Sequence, residues 1–260
     1  MTGSVQAGAL RGGESLEPLA RGVSVIVGNG HTFSTDTLLL AAFSMPRPGE
    51  VCADFGTGCG AIPLLWCARA KPGFVYGVEL QREACGMARR SVERNGLAGR
   101  IGVVECDIRR LREERALPAG GLDRIACNPP YKPLGAGAES AAESCRIARH
   151  EAACTFAEIA AAASYFLRWG GRFFCCMRPE RLCDTLFALR EAGLEPKRLR
   201  FVQQRAQAAP FLFLLQAGRG GRPGLTVGPA LLVEDGGGSL SEEMLALYGD
   251  YKAVTKEGHG

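Results

Sequence analysis

Asn128-Pro129-Pro130-Tyr131 brings together groups suited to presenting a flat, weakly nucleophilic amine. The Asn128 side-chain oxygen and the Pro129 carbonyl can each accept one N–H of such an amine. Two consecutive prolines fix the backbone and remove its donors, which leaves the carbonyls directed outward. An amine held by both hydrogens has its lone pair turned out of conjugation. Tyr131 adds an aromatic face on which a planar acceptor stacks, an interaction of about 1–3 kcal/mol for a nucleobase. Taken alone, the tetrapeptide is also compatible with a rigid surface turn.

Upstream lies Asp54-Phe55-Gly56-Thr57-Gly58-Cys59-Gly60. Glycines at every second position after a strand permit a tight turn and a close approach of backbone to ligand. The helix that begins at Gly60-Ala61 points unpaired N–H groups at whatever the loop holds. The spacing is G-x-G-x-G, not the G-x-G-x-x-G of dinucleotide loops, and Asp54 stands directly before it. An acid there repels pyrophosphate and suits a ligand that carries an ammonium and a sulfonium, as S-adenosylmethionine does. Glu79, at the end of the next strand and followed by Leu80, is placed to accept from a ribose diol. Asp107, after the third strand, is placed to accept from the adenine amino group, with Ile108 packed on the ring. Each acid alone is compatible with a solvated strand end. In register they predict S-adenosylmethionine as cofactor, held by Asp54, Gly56, Thr57, Gly58, Gly60, Glu79, Leu80, Asp107 and Ile108 together with Asn128. Methyl transfer is then an in-line displacement governed by positioning and electrostatics, with no call for a metal or a strong base.

The elements that must position these groups follow from periodicity. Short β-rich runs at 51–55, 74–79, 101–106, 122–127 and 171–177 alternate with helical patterns at 61–70, 81–95 and 155–168, which predicts a parallel sheet covered on both faces. Asn95-Gly96 and Gly170-Gly171 supply helix stops. A helix at 179–192 and two β-runs at 197–203 and 211–217 complete the pattern, the last two antiparallel. A strand at 230–233 and a helix at 241–247 follow. Ahead of the sheet, 23–32 reads as a hairpin turning at Gly28-Asn29-Gly30, and 35–43 as a short helix. The expected fold is α/β, a Rossmann-like seven-stranded sheet, mostly parallel with an antiparallel last strand. Residues 1–50 would form an N-terminal extension acting as a cofactor lid, and 51–260 the catalytic domain.

Composition narrows the classes. With 260 residues, 47% of them hydrophobic and 22% charged, the chain can bury one substantial core. No apolar run reaches membrane-span length and no signal-peptide pattern opens the chain, so the expected location is the cytoplasm. The eleven cysteines include no C-x-x-C pair and accompany only three histidines, which favours reduced core thiols over a metal site or a disulfide framework. Cys59 reads as a small filler in the loop. The net charge of +4 does not itself indicate nucleic acid. Arginines do cluster after the third strand, after the Asn-Pro-Pro-Tyr segment and in the C-terminal third, where solvated faces are an equal reading.

The two motifs are shared by adenine-N6 methyltransferases and by the glutamine-N5 methyltransferases of peptide release factors. Four further segments carry a narrower resemblance: 33–40 (Phe33-Ser34-Thr35-Asp36 onward), 148–151 with Arg149 and His150, 178–182, and 193–202 with Arg198 and Arg200. Over roughly residues 18 to 250 the chain resembles the bacterial valine-tRNA adenine-37 N6-methyltransferases, a class I methyltransferase family. The resemblance implies that Phe33, Ser34, Thr35 and Asp36 close over the methionine end of the cofactor. It implies a tRNA partner whose anticodon-loop adenine flips out to stack on Tyr131. Lys132, Arg149, His150, Arg198 and Arg200 would then meet the RNA, although Lys132 departs from the usual aromatic or small residue and a solvated role is an equal reading. Two alternatives stand: a protein glutamine-N5 methyltransferase, disfavoured by the small segment ahead of strand one, and a catalytically idle RNA-binding module, which would have no use for Asn128-Pro129-Pro130-Tyr131.

Overall fold

The computed structural model describes residues 8–20, 22–28, 30–129 and 154–249. In chain order the elements are β1 (Glu14–Ala20), β2 (Val23–Gly28), α1 (Thr35–Phe43), β3 (Val51–Phe55), α2 (Ala61–Arg69), β4 (Phe74–Glu79), α3 (Arg82–Arg94), β5 (Ile101–Glu105), β6 (Leu122–Cys127), α4 (Phe156–Phe166), β7 (Leu167–Met177), α5 (Leu182–Glu191), β8 (Leu194–Gln203), β9 (Pro210–Arg219), β10 (Thr226–Val227), β11 (Leu231–Leu232) and α6 (Glu242–Tyr248).

The seven long strands lie in the order β8-β9-β7-β6-β3-β4-β5, parallel throughout except for β9, which runs antiparallel to both β7 and β8. The two-residue strands β10 and β11 both add to β8 in parallel, so the sheet has nine strands and not seven. Both faces are covered, as the apolar strand sequences require. One core cluster, including Leu39, Leu64 and Trp66, lies on the side of α1 and α2; the other, including Ile159, Phe166 and Phe173, lies on the side of α4 and α5. Trp66 is fully buried, and its indole N–H donates to the Ala41 carbonyl at 3.1 Å, which locks α2 to α1.

Two local expectations are corrected. The hairpin is β1 with β2, and not a fold of 23–32 on itself. At Gly28–His31 there is only one isolated bridge, with N···O distances of 3.0 and 2.8 Å. Pro18 hides β1 in the sequence because it lacks a ladder N–H; the structure accommodates it beside a register shift between Pro18 and Ala20. Gly28 is obligatory at the crossing: a Cβ there would stand 2.3 Å from the Gly13 carbonyl oxygen. The second correction concerns Gly170-Gly171, which does not stop a helix. α4 already ends at Phe166, and the glycines lie inside β7, opposite a register shift in β6. A Cβ on Gly171 would meet the Arg168 and Leu122 carbonyls at 2.8 and 3.0 Å, the close backbone approach that marks a bulge.

The hairpin is anchored by polar contacts to α3. Ile26 N–H donates to Ser91 Oγ at 2.9 Å, Asn95 exchanges two hydrogen bonds with the Ser24 backbone at 3.1 and 2.7 Å, and Arg90 grips both Glu14 oxygens at 2.6 Å. The extension is therefore fixed on the helix that follows β4, which carries α1 to the carboxyl edge of the sheet.

Candidate functional site

Open parallel sheets bind ligands at their carboxyl edge, and a cavity of about 350 Å³ opens there. Its described lining contains three carboxylates, Asp36, Glu79 and Asp107, and no lysine or arginine.

The β3–β5 side is built on backbone. Gly56, Gly58 and Gly60 all have left-handed φ values of 77°, 55° and 89°, a region that other residues enter at a cost. Gly56 and Thr57 N–H both donate to the Val78 carbonyl at 2.9 Å. Buried Glu79 staples the loop: one oxygen accepts from Gly58 N–H at 2.9 Å and the other from Gln81 N–H at 2.8 Å. Each oxygen keeps a second lone pair. Asp107 caps the short 3-10 turn at Ile108–Arg110 and is held by Arg109 at two points, 3.1 and 2.6 Å, which keeps its carboxyl below the ordinary range. Leu80, 47% exposed, and Ile108 give this end apolar walls.

Asp54 sits differently from expectation. It is buried and absent from the described lining, and its Oδ1 has no hydrogen-bond partner among the described residues. Burial pushes its carboxyl up to about 7, with the nearby Thr57 hydroxyl opposing and the Glu79 charge adding to the rise. Thr57 and Gly60 also stay out of the lining. The Thr57 side chain lies over Gly77, where a Cβ would be 3.0 Å away, and Gly60 packs toward the Ala88 side chain.

The β6 side presents Asn128 and Pro129. Asn128 Nδ2 donates to Thr37 Oγ1 at 3.4 Å, and its Oδ1 accepts from the Cys176 thiol at 3.1 Å. Burial holds that thiol well above its ordinary pKa, so it keeps the proton it donates. Thr37 belongs to the first turn of α1, where Ser34 caps the helix, so the extension reaches Asn128 directly. Ser34 and Asp36 line the cavity; Phe33 packs against the core, and Thr35 Oγ1 meets Tyr248 at 3.0 Å.

Pro130, Tyr131, Lys132, Arg149 and His150 lie outside the described residues. Arg198 and Arg200 are not at the cavity. Arg200 pairs with both Glu243 oxygens, at 2.5 and 2.7 Å, and Arg198 lies over the Phe43 ring at 4.9 Å.

Several lining residues escaped the sequence reading. Phe55, Val78, Cys106 and Cys127 sit at or beside strand ends, so the carboxyl-edge rule applied to whole strand ends would have found them. Gly30, His31 and Thr32 come from the hairpin exit, and Cys154 and Ile159 from the start of α4, and none of these carries a motif. The cavity thiols are not activated nucleophiles: burial raises Cys106 to about 12 and Cys154 to about 11. Cys59 is likewise raised to about 12, in keeping with a filler. The described cysteines are all free, and among the described residues no three His, Cys, Asp or Glu side chains converge to hold a metal ion. No described helix is long and apolar enough to cross a membrane.

Strand order and cavity position define a Rossmann-like α/β fold of the class I methyltransferase type. The chain belongs to the methyltransferase small domain family, whose model matches residues 30–180. It is 25% identical over 227 residues to a tRNA1(Val) (adenine(37)-N6)-methyltransferase of Photobacterium profundum, covering 86% of this chain and 92% of that one. A protein of the same name from Escherichia coli is 27% identical over 179 residues, 63% of this chain and 71% of that one. Among solved structures, a predicted O-methyltransferase from Agrobacterium tumefaciens superposes with a TM-score of 0.68 at 24% identity, over 82% of this chain and 95% of the other.

Proposed function

We propose that this protein methylates the exocyclic N6 amine of an adenine in RNA, in the anticodon loop of a tRNA, with S-adenosylmethionine as methyl donor. The observation that carries the reading is the pairing of a cavity whose described lining holds three carboxylates and no lysine or arginine with Asn128–Pro129 on one wall. Such a lining suits a ligand bearing an ammonium and a sulfonium and would repel a pyrophosphate. When bound, the cofactor supplies an electrophilic methyl group. Glu79, held rigid by two backbone N–H groups, offers its remaining lone pairs to the ribose diol. Asp107, oriented by Arg109, accepts from the adenine amine, and Leu80 and Ile108 flank the ring. Gly56 and Gly58 keep the loop free of side chains.

On the acceptor side, Asn128 Oδ1 uses the lone pair not engaged by Cys176 to take one N–H of the target amine, and the Pro129 carbonyl takes the other. Holding both hydrogens exposes the nitrogen lone pair, and this orientation is the chain's contribution to the displacement. The substrate class draws on the names of the relatives in Photobacterium and Escherichia. Cytoplasmic action on tRNA is part of the same reading.

The test is incubation with labelled S-adenosylmethionine and total bacterial tRNA, followed by nucleoside mapping. N6-methyladenine at one tRNA position is expected. Label on a release-factor glutamine and none in RNA would replace the substrate with a protein. Tight cofactor binding with no transfer to either would leave a binding module.

A further inference from the structure

Four arginines gather where α1 ends on the sheet. Arg124 of β6 and Arg172 of β7 are direct cross-strand partners and so share a face. One row along, Phe174 of β7 faces Gln216 of β9, which faces Arg198 of β8. The Arg124 guanidinium lies 4.7 Å from the Phe174 ring centre and that of Arg198 4.9 Å from the Phe43 ring centre, and the two rings meet edge-on at 6.0 Å. Arg47, in the segment after α1, acts electrostatically on Arg172.

The anionic side of this cluster is thin. The Glu50 carboxylate acts on Arg172, but its Oε2 is already shared by Arg124 Nε at 2.9 Å and the Arg47 backbone N–H at 3.0 Å. Among the described residues, the Arg198 side chain hydrogen-bonds only to Gln216 Oε1, at 3.5 Å. Among the described residues, the side chains of Arg47 and Arg172 make no hydrogen bond or ion pair. Burial first, and then the Arg47 and Arg124 charges, hold the half-buried Arg172 guanidinium below its ordinary pKa. Arg124 is offset by Glu50 and the Phe174 ring, but like charges set directly across a sheet destabilise it, and no such partner among the described residues offsets the side chains of Arg47 and Arg172. A phosphate would, because guanidinium forks match its oxygens in bidentate geometry.

Position adds to this. α1 begins at the cavity, where Thr37 touches Asn128, and ends at Phe43, which carries Arg198. Six residues of helix separate the two ends by about 9 Å.

We propose that Arg47, Arg172 and Arg198 form a phosphate-binding site that holds the backbone of the RNA substrate beside the helix leading to Asn128. This rests on the RNA reading of the cavity. The same chemistry would also suit a free phosphorylated small molecule, so the experiment separates the two sources.

Binding of total bacterial tRNA is measured in 50–200 mM KCl for the wild type, Arg47→Gln, the Arg47→Gln/Arg172→Gln pair and Arg172→Lys, with S-adenosylmethionine affinity as the check on folding. Each phosphate contact contributes roughly 0.7–0.9 to the log-log salt slope. The double variant should lower the slope by about one to two and weaken tRNA binding at 50 mM KCl about tenfold or more. It should raise KM for tRNA and leave kcat and cofactor affinity unchanged, whereas Arg172→Lys keeps the slope. Should the double variant lose cofactor binding, exposed Arg47→Gln carries the test with a fall of one contact. Unchanged slope and affinity in a wild type that still methylates tRNA would sink the site and leave the substrate reading standing. A wild type that binds cofactor but not tRNA sinks both. In the second arm, inorganic pyrophosphate is titrated by calorimetry. Binding that disappears in the double variant while its tRNA slope stays at the wild-type value would assign the arginines to a free anion and overturn the RNA site.

Discussion

At the β3–β5 end of the cavity, Glu79 and the glycine loop are fixed by backbone N–H groups; at the β6 end, Asn128 is fixed by two side chains from distant elements. The strengths differ accordingly. A carboxylate accepting backbone N–H groups gains about 1.5–3 kcal/mol per bond, whereas a thiol-to-carbonyl bond contributes about 0.5–1 kcal/mol. The cofactor end is therefore rigid whatever lies elsewhere in the chain. The acceptor end takes its orientation from α1 and β7, and the chemistry asks most of this weaker end.

The largest effect should come from separating orientation from binding. Asn128→Ala removes an acceptor whose value is realised in the transition state, so kcat should fall roughly 100- to 1000-fold, the cost of losing one preorganised polar group. Affinity for S-adenosylmethionine should stay within about twofold. A variant that loses both together would show that the two ends do not act separately.

Asp54 tests how dry the cofactor end is. Its carboxyl is near 7 folded against 3.8 unfolded. Below about pH 4 it is protonated in both states. Between about 4 and 7 the unfolded chain releases its proton first, so the apo protein loses stability as pH rises, and above 7 the loss is complete. Asp54→Asn carries no such proton, so its stability relative to the wild type should rise across that window by up to a few kcal/mol and then level off. Denaturant curves at pH 4, 6 and 8 with a constant difference would mean that Asp54 is solvated or paired.

This difference between the ends also decides what could be read in advance. Gly56, Gly58, Glu79 and Asp107 lie at or within three residues of strand ends, so residue type and spacing placed them at the cavity. Nothing local marks Cys176, one apolar residue in a buried strand, as a partner of Asn128; only the β6–β7 pairing brings it there. The same holds for β1, whose Pro18 masks a strand that tertiary docking on α3 stabilises. Arg198 stood out as a cation, yet Arg172 joins it only through strand register and Arg47 only through the segment that leads from α1 to β3.

Removing the staple probes the rigid end directly. Glu79→Ala leaves two backbone N–H groups without their acceptor and deprives a bound diol of its partner. Cofactor affinity should weaken by about 1.5–3 kcal/mol, roughly 10- to 150-fold. Calorimetry returning the wild-type constant would remove Glu79 from the site.

The smallest effect lies in the Cys176 thiol, and it distinguishes positioning from packing. Cys176→Ala deletes one weak hydrogen bond of about 0.5–1 kcal/mol, so kcat should fall roughly two- to fivefold. Cys176→Ser restores an O–H donor of similar size and should recover most of that loss, since what Asn128 needs is a proton aimed at Oδ1. Cys176→Val fills the volume without a donor and should behave like Ala. If packing alone mattered, Val would match the wild type and Ser, which brings a hydroxyl into an apolar strand, would be the worse variant. Cofactor affinity should not move in any of the three, because the thiol reaches the cavity only through Asn128. The ranking Ser above Val and Ala in kcat, at constant cofactor affinity, is the result expected of an acceptor end held by side chains.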